Sequence, residues 1–138
     1  TSSLVGSEMC IRDSNMLVWD KLSGPGNHYA FIHELVLFHA GKGANIGGTN
    51  IISAIKAFNS GAKSTDGAKV HPTQKPVSLI QNFIVDATKP GDVILDTFGG
   101  SGTTAVAAVR SGRRFILMEQ DEGYYHTACK RLEDEYRQ

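Results

Sequence analysis

The sequence has little cysteine, few prolines, no long apolar run and no excess of either charge. Its two cysteines are Cys10 and Cys129, and its four prolines stand singly at positions 25, 72, 76 and 90. Two cysteines cannot build a disulfide-rich scaffold. No apolar run approaches the roughly 20 residues that a transmembrane helix needs. With 14 basic and 14 acidic side chains, the total charge indicates no particular class of partner.

Residues 1–14 fit nothing that follows them. Leu4 to Ser14 read LVGSEMCIRDS, which matches one translated frame of a transposase sequencing adapter, so we interpret residues 1–14 as a non-native segment and residues 15–138 as one part of a domain. Without this segment the chain has 13 basic and 12 acidic side chains, a net charge of +1. Cys129 is then the only cysteine, which excludes an intrachain disulfide and a cysteine-based zinc site and is typical of a reducing cytoplasm. We expect no metal site and no membrane segment.

One stretch, Val93 to Thr104, reads VILDTFGGSGTT and organises the rest of the chain. An apolar run ends at Asp96, a glycine-dense turn follows, and small residues then recur at helical spacing, which predicts a strand, a tight loop and a helix. Glycine permits the positive φ and the close approach to a ligand that such loops use, and the helix start presents N–H groups. At the carboxyl end of its strand, Asp96 lies where open α/β sheets bind ligands, although capping is the alternative role.

The next predicted strand, Phe115 to Met118, ends at Glu119. A carboxylate there can accept hydrogen bonds from both hydroxyls of a ribose. Taken alone, Gly100 to Ala105 also fits the dinucleotide fingerprint, but that signal is weak, and a loop that merely joins strand to helix is an equal alternative. The loop is not a phosphate-binding Walker motif, because no Gly-Lys-Ser/Thr follows.

Two helices are expected to flank this unit. The segment HPTQKP, His71 to Pro76, is a rigid entry into a helix, and Asp121 is a cap for the last helix. Helical spacing predicts one buried face on each helix, formed by Val77, Ile80, Phe83, Ile84 and Ala87 and by Tyr125, Ala128, Leu132 and Tyr136.

Upstream, Asn15 to Trp19 and Phe31 to His39 have the composition of strands, and Trp19, Val36 and Phe38 are predicted to be core residues. Residues 41–70 show the weakest periodicity, which is typical of a loop. Five lysines against one acid, from residue 41 to residue 75, favour a DNA-facing segment as much as a solvated loop with an incidental charge bias. The lysines within this short variable segment are Lys42, Lys56, Lys63 and Lys69.

The combination of HPTQKP, Asp96 to Thr104 and Glu119 resembles the C-terminal half of the DNA amino-methyltransferases, in their permuted β class. These enzymes transfer a methyl group from S-adenosylmethionine to the exocyclic amine of adenine or cytosine. LVWDK at residues 17–21 and HELVLFHAGKG at residues 33–43 resemble two late strands of the family, so the likeness covers nearly everything from residue 15 onward. Thr97 departs from the family's usual proline, and we expect a small effect.

The resemblance implies an α/β fold with the Rossmann-like sheet of S-adenosylmethionine-dependent methyltransferases, as an incomplete fragment that lacks the central catalytic strands. It also implies a set of cofactor-binding residues: Thr73, Gln74, Lys75, Asp96, Phe98, Gly100, Ser101, Gly102, Thr103 and Glu119. The family holds its target base with Asp, Asn or Ser before Pro-Pro-Tyr or Pro-Pro-Phe, and no such tetrapeptide occurs here. No catalytic residue is therefore assigned, and we expect the fragment alone to be poorly packed and inactive.

The function implied is site-specific methylation of double-stranded DNA, at adenine more readily than cytosine, by a cytoplasmic bacterial or phage enzyme of restriction-modification type. One alternative keeps S-adenosylmethionine but changes the substrate to RNA, protein or a small molecule. Others are a dinucleotide-binding Rossmann domain and a non-enzymatic DNA-binding module. The recognition sequence and the oligomeric state are not indicated.

Overall fold

The computed structural model describes residues 14–20, 33–39, 51–53 and 74–137. The chain divides into two compact units, residues 1–55 and 56–138. The described residues form strands in the first unit and alternate strands with helices in the second. Among them, no helix is both long enough and apolar enough to cross a membrane.

In the first unit, three strands form a sheet with the order β2-β1-β3. The antiparallel pair is β1 (Ser14–Asp20) and β2 (His33–His39), and β3 (Ile51–Ser53) runs parallel to β1. Alternate residues of β2 are exposed, including Leu35 and Leu37. The sheet is thus covered unevenly, as alternation of side chains between two faces predicts.

Both upstream strands expected from the sequence are present, and their antiparallel pairing agrees with the resemblance. Trp19 is buried, whereas Val36 and Phe38 are only half-buried, so their prediction as core residues was wrong. The prediction of a loop over residues 41–70 was also wrong at β3. A strand of three residues is too short to give a periodic signal. Lys42, Lys56, Lys63 and Lys69 lie outside the described residues.

In the second unit, a strand–helix–strand segment runs from β4 (Val93–Asp96) through α2 (Thr103–Arg110) to β5 (Arg114–Leu117). The two strands are parallel, with Asp96 opposite Leu117. Before them lies α1 (Val77–Ala87), and after them lies α3 (Glu122–Tyr136). Helix α2 contacts both other helices and both strands, so it is the central element of the unit.

Apolar side chains of α1 and α2 form the core of the second unit. Val77, Ile84, Val106, Ala107 and Ala108 are buried together, and Ile80, Ile94, Phe115 and Leu132 pack against them. Only one face of the two strands is covered. Side chains of the opposite face are about half exposed or more: Val93, Leu95, Ile116 and Met118.

The predicted helix faces were partly wrong. In α1, Leu79 is buried and Ala87 is exposed, so the buried face is turned toward the start of the helix. In α3, Ala128 is buried, but Tyr125 and Tyr136 are 50% and 70% exposed. Helical spacing specifies which residues share a face, whereas the width of that face depends on what packs against it.

Candidate functional site

A cavity of about 420 Å³ opens at the carboxyl ends of β4 and β5. The loop after β4 forms its floor, the segment before α1 lines one side, and residues 119–124 line the other. The candidate residues among its lining are Gln74, Lys75, Asp96, Phe98, Gly100, Ser101, Thr103 and Glu119, joined by Ile80, Gly99, Thr104, Gln120, Asp121 and Tyr124.

The glycine loop has a shape that only glycine allows at two positions. At Gly99, an added Cβ would lie 2.4 Å from Cγ of Leu117, because the loop passes directly over β5. At Gly102, which caps α2, φ is +81° and an added Cβ would lie 2.8 Å from Cβ of Ala128. Gly102 N–H donates to Gly99 O (2.9 Å), which closes the turn. The loop is therefore compressed between β5 and α3.

The Asp96 carboxylate lines the cavity and is half-buried. Its Oδ1 accepts a hydrogen bond from Phe98 N–H at 3.0 Å. Asp96 thus caps the turn after β4, while the residue at the N-cap of α2 is Gly102. A carboxylate has about four acceptor positions, so this single bond is compatible with acceptance from a ligand ammonium or water.

Glu119 joins the two sides of the cavity. Its Oε2 accepts from Gly100 N–H at 2.7 Å, and its Oε1 accepts from Asp121 N–H at 2.8 Å. The N–H groups of Asp121 and Gly100 lower the pKa of Glu119, against a smaller opposing effect of desolvation. Glu119 is therefore held as an anion, and each oxygen keeps acceptor capacity for a ribose hydroxyl.

The remaining candidate residues differ in burial. Gln74, Ser101 and Thr103 are buried, and Lys75 is half-buried at the start of α1. Phe98 is 90% exposed and also lines a neighbouring cavity of about 360 Å³ with Thr97, Met118 and Gln120. Thr73 lies outside the described residues.

Sequence reasoning placed Asp96, the glycine loop and Glu119 at one sheet edge, and the structure brings them to one cavity. The expectation that loop N–H groups point outward needs a correction, because those of Gly100 and Gly102 bond within the loop region. Tyr124, for which core packing was preferred, lines the cavity instead. Arg131 was missed altogether, and only its position one turn after Ala128 could have indicated it.

Within the described ranges, no group of His, Cys, Asp and Glu side chains could hold a metal ion. The fold and cavity define a class of protein that binds a nucleoside-containing ligand at the carboxyl edge of a parallel sheet. The glycine loop under one end and the carboxylate of Glu119 at the other are the features on which this class rests.

Comparison with known proteins specifies the class further. Residues 12–130 match the model of the N6/N4 methyltransferase family, described as DNA methylase. Over 65 residues the chain is 55% identical to the type II methyltransferase M2.DpnII of Streptococcus pneumoniae, and over 72 residues it is 44% identical to M.HinfI of Haemophilus influenzae. These alignments cover 47% and 52% of this chain but only 24% and 20% of the relatives.

Among solved structures, the M1.HpyAVI–SAM complex is similar with a TM-score of 0.67 and 26% identity. The similarity covers 96% of this chain and 71% of that one. The chain belongs to the N6/N4 DNA methylase family, and its fold is that of the S-adenosylmethionine-dependent DNA methyltransferases. The dinucleotide-binding interpretation is thereby displaced.

Proposed function

We propose that this chain supplies the S-adenosylmethionine-binding part of a DNA amino-methyltransferase of restriction-modification type. The observation that carries the proposal is the convergence of Asp96, the glycine loop and Glu119 on one cavity. The size of that cavity, about 420 Å³, is within the range of small-molecule sites. Its donors and acceptors also suit a ligand that is part amino acid and part nucleoside.

Each end of such a ligand has a complementary group in the cavity. Asp96 is proposed to accept from the ammonium of the methionine part, and Lys75 to pair with its carboxylate as a point charge. Glu119, held as an anion by two N–H groups, is proposed to accept from the ribose hydroxyls. Phe98, Ser101 and Thr103 complete the proposed contacts, with Thr73 and Gln74 on the side that precedes α1. When bound, S-adenosylmethionine supplies an electrophilic methyl group on a sulfonium.

The proposed acceptor is double-stranded DNA, at the exocyclic amine of adenine, with cytosine as the alternative. Such an amine is a weak nucleophile and must be swung out of the duplex and aligned with the methyl group. Since the sequence has no Pro-Pro-Tyr or Pro-Pro-Phe, we propose that another segment of the whole enzyme holds the base. Lys42, Lys56, Lys63 and Lys69 are proposed to neutralise DNA phosphates. The proposed location is the bacterial cytoplasm.

Calorimetric titration of the chain with S-adenosylmethionine tests the cofactor proposal. Asp96→Ala should weaken binding about 10- to 100-fold, the range expected for a hydrogen bond to a charged group. Asp86→Asn is the matched control, because Asp86 is an exposed acid on α1 outside the cavity. Tighter binding of NAD⁺ than of S-adenosylmethionine, or equal binding by the Asp96 variant and the parent, would contradict the proposal.

A separate assay tests the acceptor. We expect the 138-residue chain to transfer no tritiated methyl group to unmethylated double-stranded DNA, and the whole enzyme to produce N6-methyladenine, measured by mass spectrometry of digested nucleosides. Label incorporated by the chain alone would refute the assignment of base binding to another segment. N4-methylcytosine as the product would replace adenine with cytosine.

A further inference from the structure

The last helix reaches the glycine loop through one side chain, Arg131. Its Nη1 donates to the backbone O of Ser101 at 2.7 Å, to Ser101 Oγ at 3.2 Å and to Thr103 Oγ1 at 3.3 Å. Ser101 and Thr103 are 4% and 8% exposed, so these bonds form in a largely dry region. The bond to the carbonyl has the shortest distance and charge-assisted character.

The position of Arg131 follows from the packing of α3. Ala128, one turn earlier on the same face, is 1% exposed and lies against Gly102, where no methyl group would fit. Arg131 therefore meets the loop at short range. A second arginine, Arg110, also joins α2 to α3, through a bidentate pair with Glu135, but that pair does not involve the loop.

Arg131 also determines the polarity of the two hydroxyls. A guanidinium only donates, so the Ser101 and Thr103 hydroxyls must accept from it, and each keeps its own hydrogen to donate elsewhere. Both residues line the cavity, whose carboxylates, Asp96 and Glu119, can accept from a ligand but cannot bind its carboxylate. Donors lining this cavity are therefore needed for any ligand that carries an amino-acid end.

We propose that Arg131 is a positioning residue that tethers the glycine loop and orients the Ser101 and Thr103 hydroxyls as donors to the carboxylate of the methionine part of the cofactor. The ligand part of this inference rests on the proposed function. The tether itself is a property of the chain without ligand. Both parts can be measured separately.

Hydrogen exchange of the unliganded chain tests the tether, and titration with two ligands tests the orientation. Arg131→Met should speed amide exchange at residues 101–104 by about tenfold or more while α1 keeps its protection. It should weaken S-adenosylmethionine binding about 10- to 100-fold, but adenosine, which lacks the methionine part, by less than about threefold. Glu119 is held by Gly100 and Asp121, which Arg131 does not contact, so its side of the cavity stays intact.

Two further variants keep the inference testable if Arg131→Met fails to fold. Arg131→Lys retains a donor but not the guanidinium geometry and should give an intermediate loss for S-adenosylmethionine only. Arg110→Met, the matched control, should leave exchange in the loop and both affinities within about twofold of the parent.

The outcomes separate the two proposals. Unchanged loop exchange in both Arg131 variants would overturn the tether. Equal weakening of S-adenosylmethionine and adenosine, or the same losses in Arg110→Met, would overturn the orientation of the hydroxyls. A parent chain that binds neither ligand would overturn the proposed function and the ligand part, while accelerated loop exchange would still support the tether.

Discussion

Replacing Gly102 with alanine should destabilise the junction of the glycine loop, α2 and α3 by about 2–5 kcal/mol. A non-glycine residue at φ +81° costs about 1–2 kcal/mol. The new methyl group would lie 2.8 Å from Cβ and 3.1 Å from Cα of Ala128, so α3 must shift or the loop must move. Overpacking of this kind costs about 1–3 kcal/mol.

The two contributions can be separated by matched variants. Gly112→Ala places a Cβ at φ +70° with no atom within 4 Å, so it should cost only the backbone part, about 1–2 kcal/mol. Ala128→Gly provides space for the methyl group of Gly102→Ala. The double variant should therefore show a coupling of about 1–3 kcal/mol, which corresponds to the steric part.

Native-state hydrogen exchange, read as the free energy of opening of α2 and α3 amides, is the appropriate assay because it reports on one junction. If Gly102→Ala and Gly112→Ala lowered the opening free energy equally, and the double variant showed coupling below about 0.5 kcal/mol, the steric argument would be refuted.

Three further predictions concern charge and exposed surface. Because the folded-state pKa of Glu119 lies below its ordinary value of 4.5, its bond to Gly100 N–H should be intact above pH 4.5 and lost as the pH falls through the lowered pKa. The exchange rate of that amide should therefore rise only in acid, after correction for intrinsic rates, and Glu119→Gln should remove the transition. Arg110→Met should lower stability by about 0.5–1 kcal/mol in urea unfolding, because its bidentate pair with Glu135 is partly exposed. An equal cost at 1 M salt would argue against an ionic origin. Leu95→Thr should reduce fluorescence of a dye that binds apolar surfaces, since Leu95 is 61% exposed on the uncovered face of β4; unchanged fluorescence would assign dye binding elsewhere.

The order of elements around the cavity could be predicted from the sequence because its signals are local. An apolar run, three glycines and a small-residue helix are contiguous, so Asp96 and the loop were assigned without knowledge of the tertiary structure. Glu119 followed from the next apolar run. These features depend on the preferences of neighbouring residues along the chain.

The phase of α3 could not be predicted in this way. Tyr125 and Tyr136 have helical spacing from Ala128, yet both are exposed, because contact is confined to where Ala128 meets Gly102. That contact joins residues far apart in sequence, and so does the bond from Arg131 to Ser101. The short β3 was missed for a different reason, since three residues give no period.

The compact grouping of these features in sequence has a consequence for rearranged genes. Asp96, the loop, Glu119 and Arg131 all lie between the start of β4 and the end of α3, residues 93–136. A new chain terminus placed in the exposed turn at residues 89–91 would leave this segment uncut and separate it only from α1 and the residues before it. Recombination can therefore move the segment to either end of a longer polypeptide without dividing the parts that converge on the cavity.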